Sequence, residues 1–183
     1  RDLSQYRLPC LRLTWSSNMK ELTLDLVNKL FRYDKETGNL IRKISVRKGA
    51  EAGQIVGTDD GYGYLKTSIK GARYFNHRII FLMHKGYLPS ILDHIDTDKK
   101  NNRIENLRAA TVTQNNHNQG RRRNNTSGVK GVRWKETHNM WSASVSLNGK
   151  RKHLGHFRTV PEAEIAVRKA REELHGEFAN HGT

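Results

Sequence analysis

Residues 91–118 read ILDHIDTDKKNNRIENLRAATVTQNNHN, and this stretch decides the architecture of the first part of the chain. It opens with an apolar pair followed by Asp93 and His94, which predicts a short strand ending in polar side chains. After a long polar loop, an apolar run over residues 107–111 can pair back on that strand. Residues 112–119 have helical composition. We therefore expect a ββα unit, in which a hairpin is followed by a helix.

The polar residues of this unit have the chemistry of a hydrolytic site. Successive side chains of a strand point to opposite faces, so Asp93 and His94 are expected to have different roles in the site. Asp93 can hold a hard ion such as Mg²⁺, and Asn115 on the helix can close the metal site from the other side. The choice of Asn115 depends on the helix register, because Asn116 and Asn118 lie close by. His94 can take a proton from water near neutral pH, which suits cutting of a phosphodiester backbone.

The bulk properties of the chain point to a nucleic-acid partner. The 183 residues carry a formal net charge of +15, and such a field attracts polyanions. The single cysteine, Cys10, excludes a disulfide framework within one chain. No apolar run approaches the ~20 residues that span a membrane, and no signal peptide is evident. We expect a cytoplasmic protein without a membrane partner.

Composition divides the chain into four parts. Residues 1–18 are interpreted as an upstream extension of undetermined origin, and residues 19–119 as the first domain. Within that domain, the pattern TLDLVNKLFRY from Thr23 predicts a helix with Phe31 on its apolar face. Residues 120–128, GRRRNNTSG, predict an exposed basic linker, and residues 129–183 form a second domain.

The second domain has the pattern of a small three-stranded sheet. Its Asn148-Gly149 pair is a strong signal for a tight hairpin. Trp141, Ala143 and Val145 alternate with serines, as expected for a half-buried strand. The predicted elements are strands at 129–135, 140–147 and 150–157 and an amphipathic helix at 160–175. The fold class is therefore α+β, with a ββα-containing first domain followed by an antiparallel sheet packed on one helix.

The first domain resembles the HNH nucleases, also called ββα-metal nucleases, and within them the phage and homing-endonuclease branch. The matching residues are Asp93, His94, Asp96, Asn102, Asn106, Leu107 and Arg108. His77-Arg78 is similar to an H-R pair that precedes this motif in related phage proteins. The resemblance implies a general base, His94, and one Mg²⁺, replaceable by Mn²⁺, held by Asp93 and Asn115. It further implies that the amide of Asn106 braces the loop that positions His94.

The second domain resembles the AP2 DNA-binding domain, on Gly131-Val132-Arg133, Trp141, Ala143, Leu154-Gly155 and Phe157. That resemblance implies that its sheet lies in the major groove of double-stranded DNA. We expect the arginine linker to hold phosphates, and Arg133 and Arg151 to read bases, since arginine pairs bidentately with guanine. The expected DNA-contacting residues are Arg121, Arg122, Arg123, Lys130, Arg133, Lys135, Ser144, Ser146, Arg151 and His153.

These observations favour a DNA endonuclease that nicks as a monomer and comes from a phage or mobile element, with a homing role. Two other hypotheses for the function stay open. The protein is a non-catalytic DNA-binding regulator that keeps the nuclease fold, or it is an RNA-binding accessory protein. The division into domains predicts that residues up to about Gly120 cut DNA alone, and that the second domain alone binds without cutting.

Overall fold

The structure is a computed structural model, and it describes residues 22–182. The predicted extension over residues 1–18, with Cys10, lies outside this range. The helices and strands, in chain order, are α1 (Leu24–Leu30), β1 (Phe31–Tyr33), β2 (Leu40–Arg42), β3 (Ile55–Val56), β4 (Thr58–Asp59), β5 (Leu65–Ile69), β6 (Ala72–Phe75), α2 (Asn76–Lys85), β7 (Ile91–His94), β8 (Leu107–Ala110), α3 (Val112–His117), β9 (Val132–Lys135), β10 (Met140–Leu147), β11 (Lys150–Phe157) and α4 (Val160–His175). Within residues 22–182, no helix has the length and apolar character needed to cross a membrane.

The first helix is shorter than its apolar pattern predicts. Thr23 caps α1 by accepting a hydrogen bond from the backbone N–H of Leu26, and the helix ends at Leu30. Phe31 is extended and pairs with Arg42 across the β1–β2 ladder, so the expectation that Phe31 is helical is wrong. Its side chain is nevertheless buried in the core of the first domain, where a helical placement would also have put it.

Two small antiparallel sheets and α2 support the predicted ββα unit. The sheets have the strand orders β1-β2-β3 and β4-β5-β6, and α2 follows β6 directly. Ile79 and Ile80 of α2 are fully buried against Val27 and Leu107 in one apolar core. Because Leu107 begins β8, this core fixes the β7–β8 hairpin to the rest of the domain.

The ββα unit itself has the form that the sequence predicts. Strands β7 and β8 are antiparallel, and His94 pairs with Leu107. Helix α3 begins with a capping box in which the Thr111 side chain accepts from the Gln114 N–H and the Gln114 side chain accepts from the Thr111 N–H. One residue, Thr111, separates the end of β8 from the start of α3, and α3 packs against both strands of the hairpin.

The second domain is a three-stranded antiparallel sheet, ordered β11-β10-β9, with α4 packed on one face. Its core contains Val132 and Ala143 from the sheet and Ala163 and Val167 from the helix. Both Asn148 and Gly149 have positive φ, as the predicted hairpin requires. The mixed α+β architecture and the sheet on one helix thus agree with the prediction.

Candidate active site and nucleic-acid interface

Asp93 lies buried at the end of β7, directly across the ladder from Arg108. Its Oδ2 accepts from Nε and Nη2 of Arg108, both at 2.9 Å. Nδ2 of Asn118 lies 3.0 Å from each carboxylate oxygen. Three donor atoms therefore orient this carboxylate, while Oδ1 accepts only from Asn118 among residues 22–182. Because an ionised carboxylate has about four acceptor positions, Oδ1 retains capacity for a further ligand.

His94 is 5% exposed and is oriented by an asparagine of the following loop. Its Nε2 lies 3.2 Å from Oδ1 of Asn102, which is itself buried. With that oxygen as the acceptor, Nε2 carries the proton and Nδ1 keeps its lone pair. Burial lowers the pKa of His94 below its ordinary value, partly offset by Asn102 and nearby aspartates. The imidazole is therefore neutral near pH 7, the state in which it can accept a proton.

The loop between β7 and β8 is held in shape by the side chain of Asn106. Its Oδ1 accepts from the backbone N–H of Asp96 at 3.0 Å. Its Nδ2 donates to Oδ1 of Asp96 and to the carbonyl of Asn101, both at 2.8 Å. One amide thus ties both ends of the loop together, and Asn102 lies within that loop. This geometry fits the bracing role that the HNH resemblance implies for Asn106.

His77 packs beside the candidate base. The rings of His77 and His94 meet edge to face with centroids 5.0 Å apart, and Phe75 stacks on His77 at 5.2 Å. Nδ1 of His77 is buried and has no hydrogen-bond partner among residues 22–182. Burial, with the positive charges of His94 and Arg78, lowers the pKa of His77 to about 3. His77 is therefore an uncharged side chain that packs against one side of His94.

The burial of His77 predicts that the protein loses stability in acid. The unfolded chain binds a proton at this residue below about pH 6.5, whereas the folded protein does not until about pH 3. The free energy of unfolding therefore falls as pH drops below 6.5, by roughly 2 kcal/mol down to about pH 4.5 from His77 alone. Urea unfolding of wild type and His77→Leu at both pH values should show the smaller pH dependence in the variant. Equal pH dependence would contradict this assignment.

The structure gives Asn115 and Asn118 different surroundings. Asn118 follows α3, and its Nδ2 also donates to the carbonyl of His94 at 2.7 Å. This side chain therefore presents nitrogen, not oxygen, to Asp93. Asn115 lies one turn earlier on the same helix side, and its half-buried amide has no hydrogen-bond partner among the described residues. The assignment of Asn115 as a metal ligand stays a prediction. Its amide oxygen has no partner among the described residues and is available to bind a metal ion.

The donor set available to a metal ion is sparse. Among residues 22–182, no three His, Cys, Asp or Glu side chains cluster in a way that holds a metal ion. Asp93 would supply one charged carboxylate ligand, and Asn115 would supply one neutral oxygen ligand. Such a set fits Mg²⁺, which keeps several waters and binds through one or two carboxylates together with substrate phosphates.

The face of the second sheet opposite α4 carries most of the residues expected to contact DNA. Directly paired residues of antiparallel strands share a face, so Ser146 lies beside Arg151, and Ser144 beside His153. Arg133 pairs with Ser142 and is exposed on the same face. Lys135 stands two residues further along β9 and is half-buried. The side chains of Arg121, Arg122 and Arg123 in the linker are also exposed.

A basic cleft lies between the linker, the end of α3 and the second sheet. It has a volume of about 450 Å³, and its cationic lining residues include Arg122, Arg133, Arg151 and Arg171. Arg122 belongs to the linker, whereas Arg133 and Arg151 extend from the sheet. The arginines of both segments therefore face one concave surface beside the helix that follows the candidate active site.

Lys130, one of the residues expected to contact DNA, does not extend from the open sheet face, because its ammonium is bound by backbone carbonyls. Its Nζ donates to the carbonyls of His117 at 2.9 Å and Asn180 at 3.1 Å, and also to that of Gln119. Burial, and then the charge of Arg171, lowers the pKa of Lys130 to about 8. This ammonium closes the carbonyl end of α3 instead of standing free for a phosphate.

Three site residues were given no role by the sequence analysis: Asn102, Arg108 and Asn118. The hairpin register offers one signal, since pairing His94 with Leu107 puts Arg108 opposite Asp93. Asn102 and Asn118 sit in asparagine-rich runs, where composition does not distinguish one side chain from its neighbours.

Comparison with known proteins agrees with this geometry. A family model described as HNH endonuclease matches residues 74–117, which extend from β6 to the end of α3. Protein 3.8 of Escherichia phage T7 is 38% identical over 95 residues, covering 52% of this chain and 75% of that protein. An uncharacterized HNH endonuclease, L560, of Acanthamoeba polyphaga mimivirus is 41% identical over 106 residues, covering 56% of this chain and 54% of that protein. No solved structure matches the chain.

The class of the first domain is thereby established: residues 74–117 form an HNH endonuclease domain, and Asp93, His94 and Asn115 lie within it. The chain belongs to the same protein family as protein 3.8 of phage T7.

Proposed function

We propose that the protein is a metal-dependent DNA endonuclease that hydrolyses phosphodiester bonds with His94 as the general base. The observation that carries this proposal is that a buried, neutral His94 and the oriented carboxylate of Asp93 lie next to each other at the end of β7, inside the HNH endonuclease domain. Asn102 fixes the imidazole so that Nδ1 can receive the proton of an attacking water. Burial keeps the ring unprotonated at neutral pH.

The metal site that we propose contains Asp93 and Asn115. Oδ1 of Asp93 retains acceptor capacity, and the amide of Asn115 has no other partner among the described residues. A bound Mg²⁺, or Mn²⁺ in its place, supplies charge stabilisation for the phosphate and the leaving oxygen. Arg108 and Asn118 hold the carboxylate in one orientation, which limits the reorganisation needed when the ligand shell forms.

We propose that the linker and the second domain bind the double-stranded DNA that the first domain cuts. The net charge of +15, the exposed arginines of the linker and the basic cleft support this role. The sheet resembles the AP2 domain, and its open face presents Arg133 and Arg151 for base contacts. One proposed active centre in residues 22–182 favours a nick in one strand, whereas a double-strand cut would need a dimer or a second event. A phage or mobile-element source and a homing role are consistent with this activity.

Substitution of Arg133 and Arg151 tests whether these two exposed arginines recognise DNA bases. Arg133→Ala or Arg151→Ala should cost roughly 1–3 kcal/mol at the preferred site, as expected for a lost bidentate base contact. Arg122→Ala should weaken binding to all DNA sequences alike and should reduce the dependence of DNA affinity on salt concentration. Lys169→Ala removes one exposed positive charge from α4, behind the sheet, and serves as the control. Binding to the preferred and to scrambled DNA should be measured for each; equal losses on both DNAs would remove the two arginines as specificity residues.

A non-catalytic DNA-binding regulator is the second candidate. The observation that favours it is the close ion pair of Asp93 with Arg108, in which one carboxylate oxygen already accepts from two guanidinium nitrogens. If that pair excludes a metal ion, the protein binds DNA and cuts nothing. A cleavage assay with and without Mg²⁺ separates the two candidates.

A further inference from the structure

The end of the chain returns to the active site. After α4, a short 3₁₀ turn, Gly176–Phe178, and the following residues lie against the nuclease hairpin and α3. We call residues 176–180 the C-terminal strap. Phe178 is 3% exposed and Asn180 is 7% exposed, although they lie near the end of the described chain. The strap is therefore anchored by two buried side chains, although Gly176 and Glu177 are exposed.

The strap holds the arginine that orients Asp93. The guanidinium carbon of Arg108 lies 3.7 Å from the centroid of the Phe178 ring. Nη1 of Arg108 donates to the carbonyl of Glu177 at 2.6 Å, while Nε and Nη2 of the same group donate to Asp93. One planar guanidinium is thus fixed on one side by the strap and on the other by the candidate metal ligand.

A second contact reaches Asp93 through Asn118. Nδ2 of Asn180 lies 3.4 Å from Oδ1 of Asn118, whose Nδ2 donates to both oxygens of Asp93 and to the carbonyl of His94. The strap is itself anchored, because Lys130 donates to the carbonyl of Asn180 and to carbonyls at the end of α3. Both side chains that hold Asp93 are therefore in contact with residues 176–180.

We propose that the C-terminal strap is a positioning element of the nuclease site, acting through Arg108 and Asn118 on the carboxylate of Asp93. This inference rests on the proposed function. It replaces the expectation that the first domain cuts DNA independently, because the second domain ends in residues that complete the support of Asp93. Phe178 and Asn180 are positioning residues, since neither reaches the reacting atoms.

The test uses the full-length protein and two substitutions of Phe178. Phe178→Ala removes the ring, and Phe178→Leu keeps most of the apolar volume but has no ring face. Each should lower the cleavage rate at saturating Mg²⁺ roughly tenfold, as is typical for loss of an outer-shell partner. DNA affinity measured in EDTA should stay within about twofold, because residues 176–180 include no lysine or arginine to contact phosphates. Glu173→Ala, an exposed change on α4, should leave both values unchanged.

A double substitution separates positioning from general loss of stability. In an Arg108→Met background, Phe178→Ala should change the rate by less than about twofold, because the contact that it removes is already absent. Independent structural damage would instead multiply the two losses. Multiplied losses, or a full rate in both Phe178 variants, would overturn the proposal.

Amide hydrogen exchange tests the strap without any catalytic readout. In Phe178→Leu, exchange should rise in β7 and β8, which carry Asp93 and Arg108, and stay unchanged in β10 of the second sheet. Unchanged exchange in β7 and β8 would contradict the proposal even if activity fell. If the wild-type protein cuts no DNA, the proposed function fails, and the exchange result alone decides whether the strap supports this hairpin.

Discussion

Replacement of His94 by alanine is expected to lower the rate of DNA cleavage by about 10²–10⁴-fold, the usual contribution of a general base. The imidazole is the group positioned to take a proton from water, since Asn102 holds Nε2 and leaves Nδ1 with its lone pair. DNA affinity should remain near the wild-type value, because His94 is buried and the exposed arginines that we propose as phosphate contacts are unchanged.

The control for this experiment is another histidine of the same domain. His84 is exposed on α2, where its Nδ1 lies 2.9 Å from the carbonyl of Ile80 and its ring packs edge to face on Tyr33. Neither contact involves Asp93, His94 or Asn115. His84→Ala should therefore cut DNA at a rate close to that of wild type. Cleavage at the full rate by the purified His94→Ala protein would remove His94 as the base.

Asp93→Asn is expected to lose metal-supported cleavage by about 100-fold or more, equivalent to ~3 kcal/mol of transition-state stabilisation. The amide keeps the size of the carboxylate but removes the one negative ligand of the proposed metal site. Asn115→Ala should lose less, and raised Mg²⁺ or Mn²⁺ should restore part of its activity, because it removes a neutral ligand.

Asn116→Ala is the matched control for Asn115, because Asn116 is exposed on the same helix and points away from Asn115 by about 100°. Asp93→Asn also removes the partner of Arg108, whose side chain is 14% exposed. Breaking such a buried pair costs about 3–5 kcal/mol, so thermal unfolding must show that the variant is folded. Normal metal dependence in folded Asp93→Asn would contradict the ligand assignment.

Local sequence signals predicted the elements that hold the site. The apolar pair before Asp93 and His94 gives β7, and the run after Asn106 gives β8, so their pairing follows from proximity along the chain. The Thr111 capping box likewise marks the start of α3. The hairpin and helix of the second domain were predictable for the same reason.

Pairing between distant segments explains what the sequence did not predict. The apolar period of α1 continues through Phe31, but pairing with Arg42 draws that residue into a strand, since tertiary contacts override helix propensity. Lys130 belongs to a basic run that suggests exposure, yet the carbonyls of His117 and Asn180 take up its ammonium. No local pattern indicates that Phe178 lies against Arg108, because 69 residues separate them in the sequence.

Incubation of the purified chain with supercoiled plasmid DNA, in Mg²⁺ and in EDTA, tests the proposed metal-dependent nuclease activity. We expect nicked circles in Mg²⁺ for the wild type, none in EDTA, and none in Mg²⁺ for His94→Ala. Because His94 is not part of the proposed DNA-binding surface, gel-shift binding of both proteins in EDTA should be equal. Binding without Mg²⁺-dependent nicking by the wild type, or equal nicking by both proteins, would show that the protein is not a nuclease that uses His94 as its base.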